Sequence, residues 1–250
     1  MARGDAVLFL DSDDLLKESC LLNRLQLLDS NPAADAVVAP ALHFAEVPGD
    51  IGTECIWGKW IPGDDDLDHF LAHSIPWQTS GPLWRRSSLD RVGPWDERLI
   101  HVGHDHEFHV RALCRGLRFH KLYGVDYYWR VPRADSLSSL ESFKTRHRDG
   151  GMINAYRAIQ AEVIQSGALT PGRRSIIAGE VIRLALCCRS FGGIPVVAEQ
   201  GLLDARRQGF LDAVTTVVCR LLLRNWWRIA GRIPSMAMLN RLASTASSAG

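Results

Sequence analysis

The sequence has no C-x-x-C pair, no long apolar run, no large net charge and no internal repeat, and each absence removes a class of protein. Six cysteines stand at 20, 55, 114, 187, 188 and 219. Without paired spacing, neither a zinc knuckle nor a disulfide framework is expected, and neighbours Cys187 and Cys188 are poorly placed to bridge each other. Reduced thiols in a cytoplasmic setting are the expectation. The opening Met1-Ala2-Arg3-Gly4-Asp5 lacks an apolar signal region. No stretch approaches the ~18 uncharged apolar residues of a spanning helix. A net charge of +1 gives no global pull toward nucleic acid. With 46% hydrophobic and 23% charged residues, the 250-residue chain is neither disordered, collagen-like nor coiled coil, and it is long enough to bury a sizeable core.

The small net charge hides a division. Residues 1–150 carry 17 Lys+Arg against 23 Asp+Glu, a net of −6, and residues 151–250 carry 12 against 5, a net of +7. The two parts are therefore expected to meet different partners. Pattern divides the chain at the same place: short apolar runs alternate with helical stretches up to about 150, and helical periodicity dominates afterwards.

Ala6-Val7-Leu8-Phe9-Leu10 is continuously apolar and reads as a strand buried on both faces of a mostly parallel sheet. Asp11-Ser12-Asp13-Asp14 follows at its carboxyl end, where open α/β sheets place ligand chemistry. A helix is expected over Leu15–Leu28, with Leu15, Leu22, Leu25 and Leu28 on one face and Asn31-Pro32 as its stop. Further strands are expected at 36–39, 79–84, 118–122 and 125–130, and helices at 65–73 and 105–114, the latter closed by Gly116. The second part reads as helices over 152–165, 175–188, 196–208 and 211–233. They are separated by Gly167, Pro171-Gly172, Gly192-Gly193, Pro195 and Gly209.

Asp11-x-Asp13 allows two readings from the residues alone. Hard divalent cations take oxygen ligands, and Mg²⁺ commonly accepts one or two carboxylates plus substrate phosphates. Asp13 or Asp14 also suits the cap of a following helix, and from the tripeptide alone the cap is the favoured reading.

The stretch from Ala2 to Asp14 closely resembles the D-x-D segment of family 2 glycosyltransferases, in which an Ala-x-Gly stretch precedes an apolar strand and Asp-x-Asp-Asp. Ser80-Gly81-Pro82-Leu83-Trp84-Arg85-Arg86, running on to Val92-Gly93-Pro94-Trp95-Asp96-Glu97, is similar to that family's acceptor-side segment. His104-Asp105-His106-Glu107-Phe108-His109-Val110-Arg111 is similar to its Glu-Asp motif, with His104 in place of Glu. Tyr127-Tyr128-Trp129-Arg130 and Ser136-Leu137-Ser138 resemble the strand and loop that close its catalytic domain. The four blocks lie in the family's order over residues 2–138.

The resemblance implies an α/β fold: a partial GT-A domain over 1–150, a mixed Rossmann-like sheet with flanking helices, followed by a helical region over 151–250. It implies inverting, metal-dependent transfer of a sugar from a nucleotide diphosphate sugar to a glycan or lipid-linked acceptor. Asp13 would hold Mg²⁺ or Mn²⁺, Asp11 would share the metal or meet the ribose, and Asp14 would stand behind them or cap a helix. Asp105 would be the general base; by itself the residue reads as a helix cap, and the other blocks put the base ahead. Arg111 would hold the base's loop or reach a phosphate, with an ion pair to Glu107 as the equal alternative. Trp95, beside Asp96, would face the acceptor, while Trp84 and Trp129 are assigned to the core. Trp77 is a further ligand-cleft candidate. The histidines at 101, 104, 106 and 109 match no zinc template and are expected mostly at the surface or behind the site. Pro132 or Arg133 stands near the place where the family sometimes has a metal-binding His.

The Gln-x-x-Arg-Trp motif of processive members is missing, so single addition is expected. A GT-A domain has further strand–helix units before the D-x-D strand, and these carry the base pocket. The chain is therefore expected to be part of a longer protein, to expose an open sheet edge and to bind nucleotide weakly alone. A non-catalytic remnant or interaction subunit is the alternative. Arg220, Arg224, Arg228 and Arg232 repeat every fourth residue within 211–233. This suggests peripheral contact with the inner face of the cell membrane, or else a packed helix with its arginines in water.

Overall fold

A computed structural model describes residues 3–53, 56–58, 60, 63–99, 103–133 and 139–225. His101, the Ser136–Ser138 loop, and Trp226, Arg228, Ile229 and Arg232 lie outside the described residues. The chain forms two compact units, 1–70, 74–96 and 108–133 in the first, 71–73, 97–107 and 134–250 in the second. This division differs from a boundary at 150 because 71–73, 97–107 and 134–150 belong to the helical unit.

Unit 1 is built on two mixed sheets. Its strands are β1 (Ala6–Leu8), β2 (Leu15–Leu16), β3 (Ala36–Val38), β4 (Ala41–Phe44), β5 (Ile56–Trp57), β6 (Pro82–Arg85), β7 (Phe119–Lys121) and β8 (Tyr127–Arg130). One sheet has the order β1-β6-β3-β7 and the other β2-β8-β4-β5. Helices α1 (Cys20–Ser30), α2 (Asp66–Leu71, its last residue in unit 2), α3 (Arg86–Val92) and the 108–114 part of α4 (His104–Cys114) belong with them, while residues 104–107 of α4 fall in unit 2. β3 is wholly buried between β6 and β7, as its Ala-Val-Val run demands.

β1 departs from expectation. Among the described residues it pairs with β6, antiparallel, as an edge strand of half-buried residues. A run of apolar residues does not distinguish a strand covered on both faces from a half-buried one at the edge of a sheet. The Leu15–Leu28 helix is also corrected. Leu15 and Leu16 pair with Tyr128 and Tyr127 of β8, and α1 begins at Cys20 after Ser19. Its buried face is Cys20, Arg24 and Leu28, while Leu22 and Leu25 are exposed. A buried ion pair at Arg24, described below, turns the helix this way. Neither Asp13 nor Asp14 caps it.

The core of unit 1 joins Ala36, Trp84, Val92, Phe108, Ala112 and Leu117, with Phe9, Trp95 and Phe119 packed against it. Asp35 stitches three segments: it accepts from Ser88 Oγ at 2.8 Å, Arg91 Nη1 at 2.6 Å and the Arg118 N–H at 2.8 Å.

Unit 2 contains α5 (Leu140–Arg148), α6 (Gly151–Gln165), α7 (Pro171–Ser190), α8 (Pro195–Arg207) and α9 (Ala213–Arg224). The Pro and Gly breaks fall at helix ends. Thr170 accepts from the Arg173 N–H at 3.2 Å with Pro171 in the first turn, and Asp212 caps α9 through Thr215 at 2.8 Å. Gly193 is required by close approach: a Cβ there would lie 2.4 Å from Cys188 Sγ and 2.6 Å from the Arg148 carbonyl. Among the described residues no helix is long and apolar enough to cross a membrane. Cys20, Cys114, Cys187, Cys188 and Cys219 are free thiols.

Of the arginine stripe, Arg220 and Arg224 lie among the described residues; Arg220 is half-buried, Arg224 is exposed, and both reach a carboxylate of the neighbouring helix. Arg224 bonds Glu199 of α8 at 2.7 and 2.9 Å, and Arg220 bonds the same carboxylate at 3.0 Å. The outward face of α9 is instead apolar, exposing Val214, Val217, Val218, Leu221 and Leu222.

His73 is half-buried in unit 2 with φ of 57°, edge-on to His106 and 3.7 Å from Glu180. Burial, then the charges of His106, Arg183 and His147, pull its pKa down to about 2. The folded state thus holds a neutral imidazole that the unfolded chain protonates near pH 6.5. Stability is fully present above that value and falls as the pH drops below it, by about 1.4 kcal/mol per pH unit for one proton. Urea titrations are expected to show a loss of about 2 kcal/mol from pH 7 to pH 5, reduced in His73→Asn, which tolerates the positive φ. His147, also pushed down by burial, adds to the same acid limb. An identical acid slope in His73→Asn would place the proton uptake elsewhere.

Candidate functional site

The Asp11–Asp14 turn leaves the end of β1 with its first three side chains exposed and Asp14 buried. Its backbone is held at several points. The Asp14 N–H donates to the Asp11 carbonyl at 3.1 Å, and the Asp11 N–H donates to Ser80 Oγ at 3.0 Å. Arg130 donates its N–H to Asp14 Oδ1 at 3.1 Å and its Nε to the Asp13 carbonyl at 3.2 Å. Burial pushes the Asp14 pKa up to about 6, against hydrogen bonds from Ser80 and the Arg130 N–H that lower it. Asp14 is thus an inward anchor, and the exposed carboxylates are Asp11 and Asp13.

Ser80 is itself fixed. Arg24, fully buried on α1, pairs with Asp126 through Nε at 2.8 Å and Nη2 at 2.6 Å. Its Nη1 donates to the carbonyls of Gly81 at 2.6 Å and Ser80 at 3.2 Å. The guanidinium therefore spans α1, the entry to β8 and the loop before β6, and that loop holds Asp11. Sequence reasoning singled out neither Arg24, Ser80 nor Asp126. The available signal was an arginine inside an otherwise leucine-rich helical repeat.

Asp105 lies in the first turn of α4, half-buried, where the helix dipole favours its charge. Within unit 2 its charge acts on the partly buried Arg146 of α5, offsetting the loss of basicity that burial imposes there. Half-buried His104 precedes it. His106 and His109 correct the surface expectation. His106 is buried against His73 and Tyr156, and His109 is stacked parallel to Trp84 at 6.0 Å and edge-on to Trp77. Both are packing residues.

Trp95 rests one indole face on Phe108, with centroids 4.0 Å apart, and meets Phe9 edge-on at 5.3 Å. That face is taken by the core, so only the remainder of the half-buried ring is offered to a ligand. Asp96 beside it is half-buried. Arg111 is buried and donates Nη1 to the carbonyls of Val92 at 2.7 Å and Pro94 at 2.8 Å. It holds the turn before Trp95 and Asp96, where Gly93 takes φ of 81°. Trp77 and Trp84 are buried and Trp129 packs on His43 and Trp57. Pro132 and Arg133 are exposed, Arg133 4.0 Å from Glu46.

No protein-family model and no curated protein matches the sequence. Solved structures do match. S. aureus TarS 1–349 in complex with UDP-GlcNAc superposes with a TM-score of 0.55 at 16% identity, over 91% of this chain and 69% of that one. The fold is GT-A. The same TarS piece in complex with UDP gives 0.52 at 14% identity, over 94% and 69%. The longer TarS chain gives 0.52 at 14%, over 90% and 40%. In this partial GT-A fold with its helical C-terminal region, the Asp11–Asp13 turn follows the β1 strand. Among the described residues no group of three His, Cys, Asp or Glu could hold a metal by itself. Two exposed carboxylates on a pinned turn nevertheless form a donor set of the oxygen type that a hard cation shares with phosphate oxygens.

Proposed function

We propose that the protein transfers a sugar from a nucleotide diphosphate sugar to an acceptor hydroxyl, one sugar per event and with inversion. The observation that carries this reading is the Asp11–Asp13 turn: two exposed carboxylates on backbone held by Ser80 and Arg130. Asp13, with Asp11, would hold Mg²⁺ or Mn²⁺, which supplies charge neutralisation at the leaving diphosphate. Asp11 also suits the nucleotide ribose. Asp105 takes the proton from the acceptor hydroxyl as that oxygen bonds to the anomeric carbon and the bond to the diphosphate oxygen breaks. Arg111 positions the Trp95–Asp96 turn on the acceptor side. UDP-GlcNAc, the ligand of TarS, is the first donor to test. Release of UDP in the presence of Mg²⁺ or Mn²⁺, lost in Asp13→Ala, is the expected result. Full activity in that variant removes the assignment. No turnover with any nucleotide sugar favours a non-catalytic remnant or interaction subunit.

The apolar outer face of α9 supports a second element, a lipid-linked acceptor met at the inner, cytoplasmic face of the membrane. Five exposed Val and Leu side chains on one helix, with the neighbouring arginines balanced by Glu199, suit a lipid interface better than water. Co-sedimentation with phosphatidylglycerol vesicles is expected, and Val217→Asp with Leu221→Asp should abolish it. Wild-type protein that stays in the supernatant removes this element.

A further inference from the structure

Unit 1 holds a cavity of about 140 Å³ that the Asp11–Asp13 turn does not line. Its chemistry comes from Trp60, Asp64 and Asp66, His69 of α2, and Lys121 at the end of β7. Two indoles lock its walls: Trp57 Nε1 donates to the Ile75 carbonyl at 2.7 Å and Trp60 Nε1 to the Leu122 carbonyl at 2.6 Å. Gly58 lines it with φ of 86°, and a Cβ there would lie 2.9 Å from the Pro76 carbonyl. The site is therefore built in advance by three separate segments.

Its charges come in couples. Lys121 Nζ lies 2.5 Å from Asp66 Oδ1, and His69 Nε2 lies 2.8 Å from Asp64 Oδ2. An ammonium has three protons and a carboxylate about four acceptor positions, so a singly bonded pair still offers both donors and acceptors. Hydroxyl groups donate and accept together, and vicinal hydroxyls match such an alternating rim. Anions are disfavoured, because the Lys121 ammonium already has a carboxylate partner and Asp64, Asp65 and Asp68 lie close in sequence. A metal is disfavoured as well, no suitable ligand group being present among the described residues. Size points the same way: a cavity of ~150 Å³ accepts one six-membered ring.

Topology sets its place. β6 runs antiparallel to both β1 and β3, and β7 runs parallel to β3. β1 and β7 therefore run in the same direction and have their carboxyl ends, near Asp11 and at Lys121, at the same end of the sheet, with the two strands three strand spacings or about 14 Å apart.

We propose that this cavity binds one saccharide or polyol unit through its hydroxyls, as a subsite for an extended acceptor. Hydroxyl binding stands without the transferase reading; the assignment to the acceptor rests on it. The test is titration of the protein with methyl glucoside, N-acetylglucosamine and xylitol, followed by tryptophan fluorescence and calorimetry. At least one is expected to bind saturably in the millimolar range, weakened about tenfold or more in Lys121→Met and in Asp66→Asn by loss of a charge-assisted hydrogen bond. His69→Gln, at a half-exposed position, repeats the test if the buried pair proves essential for folding. No saturable binding of any probe, unchanged isotherms in folded variants, or tighter binding of inorganic phosphate would overturn the proposal. Inactivity toward nucleotide sugars with intact probe binding would remove only the acceptor assignment.

Discussion

Arg24→Met is expected to lower the melting temperature by about 10 °C, the equivalent of ~3–5 kcal/mol for breaking a buried ion pair in a chain of this size. The substitution keeps most of the side-chain volume but strands Asp126, whose side chain is 5% exposed. It also leaves the Ser80 and Gly81 carbonyls without the guanidinium donor. The double variant Arg24→Met/Asp126→Leu should melt above the Arg24 single variant, because it removes the uncompensated charge as well. Thermal denaturation followed by circular dichroism measures all three. A single variant within 2–3 °C of wild type, less than ~1–2 kcal/mol, would show that the pair is not a structural clamp. Because the same guanidinium holds the loop that carries Ser80, a folded Arg24 variant should also bind donor more weakly through a loosened Asp11.

Asp105→Asn is expected to cut turnover by ~10²–10⁴-fold, the range contributed by a positioned general base. The amide is nearly the same shape, so the melting temperature should hold, and affinity for the nucleotide sugar should change little. Asp13→Ala serves as the contrast, with loss of donor affinity and of the response to added Mg²⁺ or Mn²⁺. The measurement is UDP release with binding titrated separately. Turnover of Asp105→Asn within threefold of wild type would assign the base elsewhere, and a large drop in melting temperature would make Asp105 chiefly a cap for α4.

Local signals read well where the physics is local. Proline and glycine set helix boundaries at Pro171, Gly192-Gly193 and Pro195: α7 begins at Pro171 and stops before Gly192, and α8 begins at Pro195. Gly116 closes α4 at φ of 73°, which an L-residue avoids. The same periodic reading misplaced Leu15 and Leu16, since leucine serves helix and strand alike, and β8, more than 110 residues later, decided the pairing. His106 and His109 looked like surface residues by polarity, yet aromatic neighbours from other segments bury them. The four-residue spacing of Arg220 and Arg224 was legible as one face. That this face meets Glu199 was not, because the partner belongs to another helix.

What the sequence determined by itself is the set of features with a short-range cause. These are the helix boundaries, the apolar strand running into Asp11-Ser12-Asp13-Asp14, and the acid at the head of α4. Each follows from steric and hydrogen-bonding limits within a few residues. Tertiary structure alone decided which carboxylates face outward. Asp14 turns inward where Arg130 and Ser80, 116 and 66 positions away, meet it with hydrogen bonds that offset part of the cost of burial. Arg24 and Asp126, 102 positions apart, are ordinary surface residues by type. Desolvation makes them a pair, since neither charge is tolerated inside without the other.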